Sequence, residues 1–95
     1  MNRLELARIE INRVDKEIAK LFEERMKAVE EVINFKIENN LDILDSSREN
    51  EVIKRNKKLI EEKKYEKYYV DLITNMMRIS KNYQKEIVDK YSKGE

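Results

Sequence analysis

Arg8, Arg25, Lys36 and Arg48 are cations placed where an α-helix would turn them inward. From residue 4 to 36 one helical seam reads 4, 8, 11, 14, 18, 21, 25, 28/29, 32 and 36. It is apolar except where Arg8, Arg25 and Lys36 interrupt it. A second such place is Asp45-Ser46-Ser47-Arg48-Glu49. Asp45 suits an N-cap, and the serines and Glu49 suit a first helical turn, where backbone N–H groups want oxygen partners. Arg48 does not suit it, because a cation there opposes the positive end of the helix dipole. The stripe Arg48/Glu49, Val52, Asn56, Leu59/Ile60 turns Arg48 and Glu49 inward as a polar pair. Further along, Ser80 and Gln84 lie one turn apart on another apolar face.

The chemistry this suggests is the binding of an anion. A buried charge is costly unless it is paired. Arg8, Arg25, Lys36 and Arg48 face only Glu49 and Asp45 as inward anions, so the missing partner is an anionic ligand carrying more than one carboxylate. Arg25 and Lys36 are roughly 16 Å apart along a helix axis, close enough for two long side chains to converge on one ligand. Arg8 is roughly 26 Å from Arg25 and cannot reach the same small molecule within one chain.

The elements that must hold these residues are helices. The chain has 95 residues, no Pro and one Gly, Gly94, too few turn formers for a β-rich fold. The apolar residues Leu4, Ile11, Val14, Ile18, Leu21/Phe22, Ala28/Val29, Val32 and Phe35 predict a first helix over about 4–39. Asp45 opens a second helix over about 45–63. After a turn near Tyr65, a third runs over about 66–91, with Tyr69, Ile73, Met76, Ser80, Gln84 and Ile87 inward. The expectation is a single all-α domain over 1–95, with one long helix and two shorter ones.

The first helix is too long for such a domain on its own. At about 1.5 Å per residue it measures roughly 54 Å, whereas a compact chain of this size has a radius of gyration of about 12 Å. Its seam is apolar along its whole length, which calls for a second copy of the chain. The expected assembly is an intertwined homodimer. Antiparallel pairing of the long helices would bring Arg8 of the partner subunit toward Arg25, giving two symmetric sites built from both subunits. The alternative is a four-helix monomer with a break near Asn12-Arg13, but neither Gly nor Pro marks one.

Composition narrows the classes of function. Charged residues make up 43% of the chain, and the net charge is +1. That balance argues against a nucleic-acid-binding surface. No apolar run approaches the ~20 residues of a membrane span, and Met1-Asn2-Arg3-Leu4-Glu5 is not a signal-peptide start. There is no Cys and no His, so disulfides, zinc sites and most nucleophile–base dyads are excluded. A cytoplasmic protein without a cofactor or metal is expected.

Taken in order, these residues form a familiar set. Arg8 is followed by Asp15-Lys16-Glu17-Ile18-Ala19-Lys20-Leu21, Arg25 and Lys36. Then come Asp45-Ser46-Ser47-Arg48-Glu49 and Ser80-Lys81-Asn82-Tyr83-Gln84. From about Leu4 to Ile87 the chain resembles the all-helical class of chorismate mutases. It departs from many members in the loop Asn39-Asn40-Leu41-Asp42-Ile43-Leu44, where they often carry a Pro and a further Arg. The resemblance implies rearrangement of chorismate to prephenate on the route to phenylalanine and tyrosine, by an intertwined dimer of three-helix chains. It implies that Arg25 and Arg8 of the partner subunit clamp the substrate carboxylates, and that Lys36 and Gln84 donate to the ether oxygen. Glu49, with backbone at Asp45, would hold the ring hydroxyl, and Arg48 and Ser80 would complete the polar wall.

A pericyclic reaction needs no nucleophile, base or cofactor, only a held conformer and charge complementarity. Gln84 donates without being protonated, so activity should persist through neutral pH. The rival readings are an isochorismate–pyruvate lyase on the same fold and a non-catalytic helical dimerisation module.

Overall fold

The computed structural model describes residues 1–43 and 46–93. It is all-α, with α1 over Arg3–Glu38, α2 over Ser46–Lys57 and α3 over Lys63–Lys93. No strand occurs among the described residues. Asp45 lies outside them. α1 is continuous for 36 residues, with no break at Asn12-Arg13.

Local chemistry sets both ends of α1. Asn2 is the N-cap, and its side-chain oxygen accepts from the Glu5 backbone N–H at 2.9 Å, leaving one fewer unsatisfied donor in the first turn. At the other end Asn40 adopts φ 54°, the left-handed conformation that asparagine tolerates better than most residues. Leu41 N–H then bonds to Lys36 C=O at 2.9 Å, and Asn40 N–H to Ile37 C=O at 3.4 Å. This crossed pair is a Schellman stop. It reverses the chain at Lys36 and brings the connection to α2 back over that residue, and Lys36 Nζ donates to Ile43 C=O at 3.2 Å.

The second and third helices meet earlier than the periodicity suggests. α2 ends at Lys57 rather than near 63, and α3 starts at Lys63 rather than near 66. The turn spans residues 58–62, and Tyr65 already lies in the first turn of α3. Leu59 N–H bonds to Asn56 C=O at 2.9 Å and Ile60 N–H to Lys57 C=O at 3.3 Å, short-range bonds that close off the helix. Ile60 is half-buried from outside the helix, so its apolar character marks the turn and not a further helical turn. Glu61 and Glu62 suit the positive end of α3, and Glu62 C=O accepts the first bond from Tyr65 N–H at 2.9 Å.

α3 is the element against which both other helices pack; among the described residues, α1 and α2 do not pack on each other. On α3 the expected inward set holds. Ile73 and Ser80 are buried, and Tyr69, Met76, Gln84 and Ile87 are half-buried. On α1 the face against α3 is Met26, Val29, Glu30, Ile33 and Ile37, with Ile33 fully buried. Periodicity passes over Ile33 and selects Ala28/Val29, Val32 and Phe35, of which Val29 is half-buried and the others are exposed. The reason is that α1 carries two apolar flanks, and α3 covers only one of them.

The other flank, and the whole first half of α1, stay uncovered in a single chain. Leu4, Ile11, Ile18 and Leu21 are each 56% exposed. The radius of gyration is 17.2 Å and the longest extent 59 Å, far from compact for this length. Among the described residues no helix is long and apolar enough to cross a membrane.

Candidate active site

A cavity of about 420 Å³ lies between the three helices, beside the Schellman turn. α1 contributes Arg25, Val29, Val32 and Lys36, a stripe with spacings of four, three and four that continues the seam of its first half. α2 contributes Arg48, Glu49 and Val52 from its first turns. α3 contributes Met77, Ser80, Lys81 and Gln84, and Ile43 closes the loop side.

Of the residues singled out from the sequence, Arg25, Lys36, Arg48, Glu49, Ser80 and Gln84 all line this one cavity. Arg8 does not. It is exposed on the unpaired half of α1, seventeen residues (roughly 26 Å) from Arg25.

The polar contacts order the wall. Arg25 Nη1 donates to Ser80 Oγ, and Ser80 Oγ in turn donates to Met76 C=O at 2.9 Å. Ser80 is 5% exposed. Its hydroxyl is therefore a fixed acceptor on α3 that aims the Arg25 guanidinium reaching across from α1. Lys36 is half-buried and held at the loop by Ile43 C=O. Its ammonium keeps two further donors for a ligand.

The pairing of Arg48 and Glu49 differs from the inward Arg–Glu pair expected. Arg48 Nη1 reaches Glu51 Oε1 at 3.3 Å, one turn along α2, and is more than half exposed at the cavity rim. Glu49 Oε1 instead meets Lys81 Nζ of α3 at 2.6 Å. Neighbours in sequence point about 100° apart on a helix, so Arg48 and Glu49 cannot share one direction. Each takes the partner on its own side.

Lys81 is the lining cation that sequence reading missed. Its signal lay in the α3 spacing, because positions 77, 80, 81 and 84 share one helical face. Behind the cavity the half-buried Tyr83 hydroxyl donates to Glu30 Oε1 and ties α3 to α1. That hydrogen bond first, then burial and the nearby Glu30 and Glu86 charges, raises the phenol above its ordinary value of 10.0.

Among the described residues the cavity wall thus holds four cations, Arg25, Lys36, Arg48 and Lys81, and one carboxylate, Glu49. With apolar Val29, Val32, Val52 and Met77 between them, it has the makings of a site for a small dianion with a hydrocarbon body. A family model described as chorismate mutase type II matches residues 7–85. No curated protein and no solved structure matches the chain.

Proposed function

The chain belongs to the chorismate mutase type II family, and from that premise we propose that it rearranges chorismate to prephenate, as a homodimer whose two active sites each draw on both subunits. The observation that carries this reading is the cavity itself. One small space gathers Arg25, Lys36, Arg48, Glu49, Ser80 and Gln84 from three helices, with a cation excess among the described residues that suits a dicarboxylate.

The reaction is a concerted [3,3] shift. The ether C–O bond of chorismate breaks while a C–C bond forms between the enolpyruvyl terminus and the ring, with no proton lost or gained. The protein's task is to hold the flexible substrate folded and to meet the negative charge that grows on the ether oxygen. Arg25, aimed by Ser80, binds one carboxylate in the two-point manner open to a guanidinium. The other carboxylate falls to Arg8 of the partner subunit. Lys36 and Gln84, from opposite walls, donate to the ether oxygen. Glu49 accepts from the ring hydroxyl, and Arg48 closes the rim.

The uncovered seam of α1 supports the dimer. It carries Leu4, Ile11, Val14, Ile18, Leu21 and Phe22 exposed, in line with Arg25. A second α1 laid antiparallel would cover these side chains and deliver Arg8 of the partner subunit to the open side of the cavity.

The test is a chorismate-consumption assay on the purified protein, with the product identified as prephenate and Arg8→Ala run alongside. Conversion by the wild type that Arg8→Ala loses while still dimeric is the expected result. No conversion would refute the reading. If isochorismate were then cleaved to pyruvate, the same site would be a lyase; inactivity on both would leave a dimerisation module.

A further inference from the structure

Resting on the mutase reading, we infer that Lys81 is a positioning residue that holds the Glu49 carboxylate in place for the substrate hydroxyl. Lys81 Nζ lies 2.6 Å from Glu49 Oε1, and both side chains line the cavity. The contact crosses from α3 to α2. It is the one ion pair between those helices among the described residues, since the remaining pairs each join residues three or four apart on a single helix.

The need for such a residue follows from the charges around Glu49. Glu49, the one lining carboxylate among the described residues, shares the cavity with Arg25 and Lys36 of α1, two cations that would draw it across. A collapse of that kind would neutralise a group needed for the substrate and misplace the hydroxyl acceptor. Lys81 sits on the same face of α3 as Ser80 and Gln84 and gives Glu49 a partner on the wall instead. One ammonium occupies Oε1, and a carboxylate has four lone-pair sites in all, so capacity for a hydroxyl donor remains. The side chains are 47% and 32% exposed, so the pair is too open for its value to be chiefly structural.

Kinetics on the full chain with chorismate test this. Lys81→Met should raise KM about tenfold with a smaller change in kcat, the loss expected when one charge-assisted contact is misaimed. Lys81→Arg should restore most of it. In a Glu49→Gln background, Lys81→Met should add less than about twofold, because the contact it serves is already gone. Unchanged kinetics in Lys81→Met would overturn the inference, as would effects that multiply in the double variant, which would mean direct contact with the substrate. A fall in melting temperature without a KM change would reduce Lys81 to a staple between helices. A wild type inactive on chorismate overturns the mutase reading and this inference together, whereas an active wild type indifferent to Lys81 overturns this inference alone.

Discussion

Ile18→Glu should separate the proposed dimer into monomers, and the structure sets the size of the effect. If Arg8 of the partner subunit meets Arg25, the antiparallel helices pair so that the two-fold axis crosses α1 between Lys16 and Glu17. Ile18 is the nearest seam residue to that axis, so each introduced carboxylate would lie close to its own copy. Ile18 is 56% exposed in the single chain. Covering a whole isoleucine is worth about 1.5–3 kcal/mol, so the part left for the partner is worth about 1 kcal/mol. The charge adds a second penalty with a ceiling, because a trapped carboxyl can protonate. From an ordinary glutamate value of about 4.3, neutralisation at pH 7 costs about 3.7 kcal/mol.

Symmetry doubles both contributions. The dimer should therefore be weakened by about 2 kcal/mol if the carboxylates find water and about 9 if they are sealed in. Sedimentation equilibrium over a dilution series reads this directly, as a rise of between about thirtyfold and a few millionfold in dissociation constant. Turnover should fall with dilution in parallel, since each site loses Arg8 of the partner subunit. A wild type that is monomeric at micromolar concentration would refute the reasoning. So would an Ile18→Glu variant with unchanged dissociation.

Arg25→Ala should lower kcat/KM by several orders of magnitude with helical content unchanged by circular dichroism; near-normal turnover would contradict the clamp. Mixing inactive Arg8→Ala with inactive Lys36→Ala under subunit exchange should recover about a quarter of wild-type activity. Half the dimers are then mixed, and each of those carries one intact site; no recovery would mean that the site is not shared. The activity–pH profile should stay flat through neutrality, because Gln84 donates without titrating, and a steep acid-only optimum would count against its role. Tyr83→Phe should flatten the alkaline loss of stability. The folded-state value of Tyr83 is raised above 10.0, so its contribution is present below that pH and lost as pH climbs through the raised value. Melting temperatures from pH 8 to 11.5 should show the wild type more stable at the lower end and the two proteins converging at the upper end; a difference that does not shrink with pH would contradict this.

Much of this protein follows from its sequence, because helices are local objects. Periodicity alone separates α1 from α3 and picks out Tyr69, Ile73, Met76, Ser80, Gln84 and Ile87 as the inner face of α3. The ordered polar residues on those faces could be picked out before any packing was known, and six of them line one cavity. The sequence also marks α1 as too long for its own domain, and the extended shape of the chain agrees.

What the sequence leaves open is decided between elements. Ile33, the most buried of the described residues, was indistinguishable from Val32, because α1 is apolar on two flanks and only the docking of α3 selects one. The end of α2 depended on where the chain had to reverse to meet α3, which a half-buried Ile60 signals only once both helices are in place. The partners of Glu49 and Arg48 were likewise invisible, because a helix turns adjacent residues apart and Lys81 reaches Glu49 only across the α2–α3 gap. Hydrophobic periodicity fixes which faces want burial, whereas the choice among competing faces and charges belongs to long-range packing, where several locally equivalent answers differ only in what lies opposite.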